Sequence, residues 1–224
     1  MGDFFNLDRI FDIFNYIFWF FLLNLFFMIF NIPIILFFVL VGISNIFLYL
    51  PLFLICLIPI GPSLTALLYC TGKLIRNRDL NIINDFIKGL KLNFKQSTLL
   101  WCFELIVMFI LYSNIKFFST SKYSLVLTCL FASLTILVLL TTPYIYILIS
   151  RFSMNNMNII KASLILVFTR PMITISNIVI LIFSLILFEM TPGTTILFIS
   201  SIFAFLLSFT NKALLLELET TKTS

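Results

Sequence analysis

From Tyr16 to Ile60 the sequence runs without a single charged residue. A helical membrane crossing takes about 20 apolar residues, so this run alone is long enough for two. The rest of the chain continues in the same manner. Of its 224 residues 62% are hydrophobic and 10% charged, against about 45–50% and about 25% in ordinary globular chains. A soluble domain is excluded, because one core of this size cannot hide so much apolar surface. In lipid only helices and closed barrels satisfy their own backbone, and these runs have the length of helices. The expectation is an all-α polytopic membrane helix bundle of about six spans plus amphipathic interfacial helices. It forms a single integral membrane domain over residues 1–224, with room for roughly five to seven crossings.

Residues 1–15 read as an interfacial helix that leads into the bilayer. Leu7, Ile10, Phe11, Phe14 and Ile17 recur at helical spacing, with Asp8, Arg9, Asp12 and Asn15 on the other side. Three aspartates in the first twelve residues argue against a cleaved leader. Within Tyr16–Ile60 the break falls either at Asn31-Ile32-Pro33 or at Gly42-Ile43-Ser44-Asn45. Pro51, Pro59 and Pro62 interrupt the next crossing, and a helix follows from Ser63 to Ile75. Further spans are expected at about Ser97–Ser113, Tyr123–Ser150, Met172–Phe188 and Thr195–Leu216. The shorter apolar helix Met154–Phe168 is expected on the surface or dipping in partly.

The cations set the orientation. With six crossings and both termini cytoplasmic, Arg9, Lys73, Arg76, Arg78, Lys88, Lys91, Lys95, Arg151, Lys161, Arg170, Lys212 and Lys222 share the inner side. Of the 14 Lys and Arg only Lys116 and Lys122 fall outside. The localisation that follows is a multi-pass protein of the cell (plasma) membrane.

Several chemistries drop out. Without histidine there is no Ser-His or Cys-His dyad and no His-ligated metal. No carboxylates are paired at matching depth, and Cys56, Cys70, Cys102 and Cys129 stand singly in apolar runs, as packed thiols do. No Gly-x-x-x-x-Gly-Lys stretch is present to cradle a nucleotide. The chain therefore reads as no enzyme, with no cofactor and no catalytic or metal site. The net charge of +5 is explained by the positive-inside bias, so no nucleic acid is expected as a partner.

Three features invite a functional reading. Gly61-Pro62 restarts a helix in or near the membrane, either as a structural kink or as a break whose freed carbonyls at Ile58–Ile60 line a polar substrate site. Glu104 lies about 10 Å along its helix from Ser97, deep for a carboxylate. Such an acid serves as a proton or cation relay, pairs with a base from Lys73–Lys95, or is simply protonated or reached by water near the inner interface. Residues 76–95 form a basic amphipathic cytoplasmic helix. Ile83, Phe86, Ile87, Leu90 and Phe94 make one stripe, opposite Asn84, Asp85, Lys88, Lys91 and Lys95. With Lys73, Arg76 and Arg78 this segment binds anionic lipid or docks a cytoplasmic partner. Ser200, Ala204 and Ser208 give the last span a small-residue face for helix packing, within the chain or in a homo-oligomer. Trp19, Trp101, Tyr16, Tyr69 and Tyr123 suit interfacial belts.

The stretch Ile60-Gly61-Pro62-Ser63-Leu64-Thr65-Ala66-Leu67-Leu68-Tyr69, followed by Lys73-Leu74, Asp85-Phe86 and Asn93-Phe94-Lys95-Gln96-Ser97, with Arg170-Pro171 opening a later span, resembles the YesL family of bacterial integral membrane proteins. That family is a domain of unknown function. The resemblance implies an accessory or assembly component associated with carbohydrate uptake of the ATP-binding-cassette (ABC) type in a Gram-positive bacterium, with sugar transporter subunits as partners beside the lipid bilayer. The alternative is a stand-alone small transporter or substrate-binding membrane subunit that uses the broken Gly61-Pro62 helix and Glu104. A main permease role is weak, because Lys161-Ala162-Ser163 before Arg170-Pro171 lacks the acid and the glycine of a coupling loop.

Overall fold

The structure, a computed structural model, describes residues 7–118 and 124–223. Among these residues there is no strand. The helices are α1 (Leu7–Phe30), α2 (Ile32–Leu40), α3 (Leu50–Leu57), α4 (Ile60–Asn77), α5 (Ile82–Phe118), α6 (Ser124–Arg151), α7 (Asn156–Thr169), α8 (Pro171–Met190), α9 (Pro192–Thr195), α10 (Ile199–Thr210) and α11 (Lys212–Thr223), with a 3-10 turn at Ile43–Asn45. Four helical segments are long and apolar enough to cross a membrane: Leu50–Asn77, α5, most of α6, and α8. Two bent pairs, α1 with α2 at 67° and α10 with α11 at 47°, bring the number to as many as six where each pair is one span. The expected all-α bundle of about six spans is what the chain forms.

Both candidate breaks in the first apolar run are used. Asn31 ends α1, and its side-chain amide donates to Phe27 O and to Ser63 Oγ, each at 2.8 Å. Gly42, at φ 77°, then turns the chain out of α2 in a conformation that side chains with a Cβ resist. The two halves of the molecule close through Asn24 on α1. Its amide donates to Ile196 O at 2.8 Å, and its carbonyl oxygen accepts the Ser200 N–H at 3.1 Å. Buried amides thus stand where helices break, and supply the hydrogen bonds that lipid cannot.

The protein core gathers toward one end of the bundle. α4 is buried along most of its length against α5, α6 and α10, and α6 is enclosed on every side from Tyr144 to Ile149. Elsewhere large apolar side chains face outward, among them Leu40, Phe47, Leu125, Phe168 and Met172, each more than half exposed. Exposed apolar surface of this extent is compatible with lipid and not with water. The ion pairs mark one end: Lys73 with Asp85, Arg151 with Glu219, and Arg170 with Glu217.

Two expectations need correction. The segment 76–95 is not a separate surface helix. Arg78 ends α4 in a left-handed turn at φ 54°, and from Ile82 a single helix runs through the membrane to Phe118. At about 1.5 Å per residue its 37 residues span about 55 Å, against about 30 Å of hydrocarbon. Its buried face is Ile82, Asp85, Phe86 and Gly89, so Asp85 turns inward while Ile83, Ile87 and Phe94 are exposed. Helix α1 runs unbroken from Leu7 to Phe30; residues 1–6 lie outside those described, as does Tyr123. Helix α7 dips in partly: it packs against α6 with Ile159 and Ser163 fully buried, while Met157, Ile165 and Phe168 stay exposed. Finally, Trp101 and Tyr69 hold helices together instead of forming belts, as the site geometry shows.

Candidate functional site around Glu104

Helices α4 and α5 pack unusually closely because each receives an aromatic ring from the other at a glycine. A Cβ on Gly61 would meet Trp101 Cβ at 2.5 Å, and one on Gly89 would meet Tyr69 Cδ1 at 2.8 Å. The seated Trp101 donates its indole N–H to Leu57 O at 2.7 Å. Pro59 O and Ile60 O accept the Ser63 hydroxyl, at 2.7 and 3.1 Å. Three carbonyls around the break, those of Leu57, Pro59 and Ile60, are therefore occupied by side chains of the protein itself. Gly61 and Pro62 are buried with them. Gly61-Pro62 is thus a kink packed against Trp101 of α5.

Glu104 is held differently. One face of α5 buries Ser97, Leu100, Glu104 and Leu111, which carries the carboxylate into the bundle opposite α6. Its Oε1 accepts from the Thr142 hydroxyl, and its Oε2 accepts from Tyr146 OH at 2.9 Å. Tyr146 is fully buried and sits edge-on to Trp101 at 5.7 Å. No base from Lys73–Lys95 reaches Glu104 among the described residues, so the expected pairing is replaced by two neutral hydroxyls. Lys73 itself is engaged elsewhere. It grips both oxygens of the buried Asp85 at 2.7 and 2.6 Å, and Asp85 also accepts the Asn81 N–H at 2.9 Å, which closes the first turn of α5.

Beside Glu104 lies a cavity of about 140 Å³ between α5, α6 and α7. Its walls are apolar, with Phe103, Leu137, Ile160 and Leu164 among them, and among the described residues Glu104 is the one acid that faces it. Taking a charge out of water costs several kcal/mol when nothing of opposite sign is near. The site accommodates a proton without rearranging. Thr142 has one hydroxyl hydrogen but two acceptors, Glu104 Oε1 and, at 3.0 Å, Val138 O. With Glu104 ionised, Thr142 donates to it. With a proton on Oε1, the carboxyl donates to Thr142 and Thr142 donates on to Val138 O. Tyr146 donates to Oε2 in both states.

Thr142 and Tyr146 are the functional residues that spacing along one helix could not supply. Their signal is the run Thr141-Thr142-Pro143-Tyr144-Ile145-Tyr146, where polar atoms and an intrahelical proline interrupt an otherwise apolar span. Arg76, Arg78, Lys88, Lys91 and Lys95 are exposed, and none of them comes near the cavity. Gln96, quoted above for its motif, anchors the α6–α7 connection by donating to Met154 O at 2.8 Å and to Asn156 Oδ1 at 2.7 Å. The small face of α10 meets α4 within the chain, where Thr71 Oγ1 and Ser208 Oγ share a hydrogen bond of 2.9 Å.

Residues 17–115 match the model of a family of proteins of unknown function, DUF624. That segment carries Gly61, Pro62 and Glu104, and it stops before the helix that contributes Thr142 and Tyr146. No curated protein and no solved structure matches the chain.

Proposed function

We propose that this chain is a non-enzymatic, multi-pass membrane protein that binds a proton or a small solute at Glu104, acting as a small transporter or as the substrate-binding membrane subunit of a larger one. The observation that carries the reading is the lone buried carboxylate facing a cavity, hydrogen-bonded only to hydroxyls that fit either protonation state. A purely structural acid needs no such cavity. In the membrane an ionisable group of this kind marks a path for protons or ions. The host is a plasma membrane with the cation-rich end and both termini in the cytosol, as the distribution of Lys and Arg supports.

The test uses dicyclohexylcarbodiimide, an apolar reagent that modifies protonated carboxyls in membranes. Mass spectrometry of the treated full-length protein is expected to find the adduct on Glu104, with less adduct as the buffer is made more basic. Proteoliposomes loaded with a pH-sensitive dye are expected to acidify faster than empty vesicles under an inward proton gradient, and a well-folded Glu104→Gln protein to lose that difference. Absence of both the adduct and the proton flux in the unmodified chain would remove the reading.

A second reading, favoured by the residues between Ile60 and Ser97 that resemble YesL proteins, makes the chain an accessory component of carbohydrate ABC uptake in a Gram-positive bacterium. Its support is that resemblance alone. Co-purification from native membranes tests it: transporter subunits retrieved in stoichiometric amounts support it, and their absence counts against it.

A further inference from the structure

At the ion-paired end of the bundle, cations from three helices converge on one small pocket. Arg76 from the last turn of α4, Arg151 at the end of α6 and Lys212 at the start of α11 line it, together with the Ser208 hydroxyl and the apolar side chains of Ile75 and Leu216. Gly72 shapes it. The Arg76 guanidinium lies 3.4 Å from where a Cβ on Gly72 would stand, so the side chain folds back over α4. Charges of one sign that line one pocket repel one another. A single carboxylate, Glu219, answers them, at 2.5 Å from Arg151. Among the described residues no acid makes an ion pair with Arg76 or Lys212, so three positive charges face one negative. The free space is about 30 Å³, enough for about two water-sized groups and thus for two oxygens of a tetrahedral anion whose remaining oxygens face outward, but not for a sugar.

We infer that this pocket binds a phosphate group through Arg76, Arg151 and Lys212, with any alkyl portion of the ligand lying on Ile75 and Leu216. The arginines suit it, since a planar guanidinium meets phosphate oxygens two at a time. Arg151 is held in position by Glu219, which leaves Arg76 and Lys212 to close on the ligand. The same chemistry is offered by the headgroup of an anionic phospholipid and by soluble phosphate. Both sources are tested below.

The experiment follows the melting temperature of the full-length protein in neutral detergent after addition of phosphatidylglycerol, phosphatidylcholine or inorganic phosphate at matched ionic strength. Phosphatidylglycerol is expected to raise it by several degrees and phosphatidylcholine to leave it unchanged. The shift is expected to vanish in Arg76→Gln/Lys212→Gln and to survive in Arg76→Lys/Lys212→Arg. Gly72→Leu keeps every charge but fills the space, and is also expected to abolish the shift. A shift with inorganic phosphate as well, lost in the same variants, assigns the site to soluble phosphate; a shift with the lipid alone assigns it to the headgroup. The inference is overturned if neither ligand shifts the unmodified protein, if phosphatidylcholine acts equally, or if the shift persists in Gly72→Leu, since attraction to the surface as a whole would then explain it. Should the double variant fail to fold, Lys212→Gln, on an exposed residue, serves in its place.

Discussion

A single missing methyl group sets how closely α4 and α5 approach. In Gly61→Ala the new carbon collides with Trp101 at its Cβ and Cγ, and the Cβ is an atom that no rotamer change moves aside. The two helices must separate, and overpacking of this sort costs about 1–3 kcal/mol. Thermal unfolding in detergent is expected to show it, while Gly193→Ala, where a Cβ meets nothing within 4 Å, is expected to melt as the parent does. The proximity that glycine permits was legible at Gly61 in the sequence. Its partner was not, because Trp101 belongs to another helix and an aromatic residue in a span fits a lipid interface equally well. Glu104 follows the same pattern. Its depth is countable from Ser97, but Thr142 and Tyr146 are brought beside it only by the packing of α6.

At the level of the element, Lys73 and Asp85 fasten the end of α4 to the start of α5. Asp85 is buried and Lys73 partly exposed, so the pair lies between a surface bridge, worth at most about 1 kcal/mol, and a fully buried one. Lys73→Met is expected to destabilise the protein by about 1–2 kcal/mol by stranding the carboxylate, and the added change Asp85→Asn to recover most of that loss. Chemical unfolding of the three proteins measures both effects. Helical periodicity in residues 80–95 was readable from the sequence, yet its inward face was displaced by one position. The period fixes which residues share a side, and only the neighbouring helix fixes which side is covered. Nor did the sequence reveal that this segment continues into the span. Asn93, Gln96 and Ser97 look like a helix end until Gln96 is seen donating to Met154 O.

For the molecule as a whole, the number of crossings and the gathering of cations at one end were both evident beforehand, because each depends on composition summed over long windows. Which end meets the cytosol is open to direct measurement. In a chain stripped of its four cysteines, Lys91→Cys is expected to react with a membrane-impermeant maleimide in inside-out vesicles and not in intact cells. Reaction in intact cells would invert the topology.

The length of α5 has a mechanical consequence. Lys88 and Glu104 belong to one uninterrupted rod, about 24 Å apart along its axis, pinned near its middle where Trp101 seats on Gly61. Anything that grips the lysine row therefore pulls on a rod already clamped to α4 at Asp85 and Gly89, so a tug applied in the water travels along both helices together toward the cavity wall.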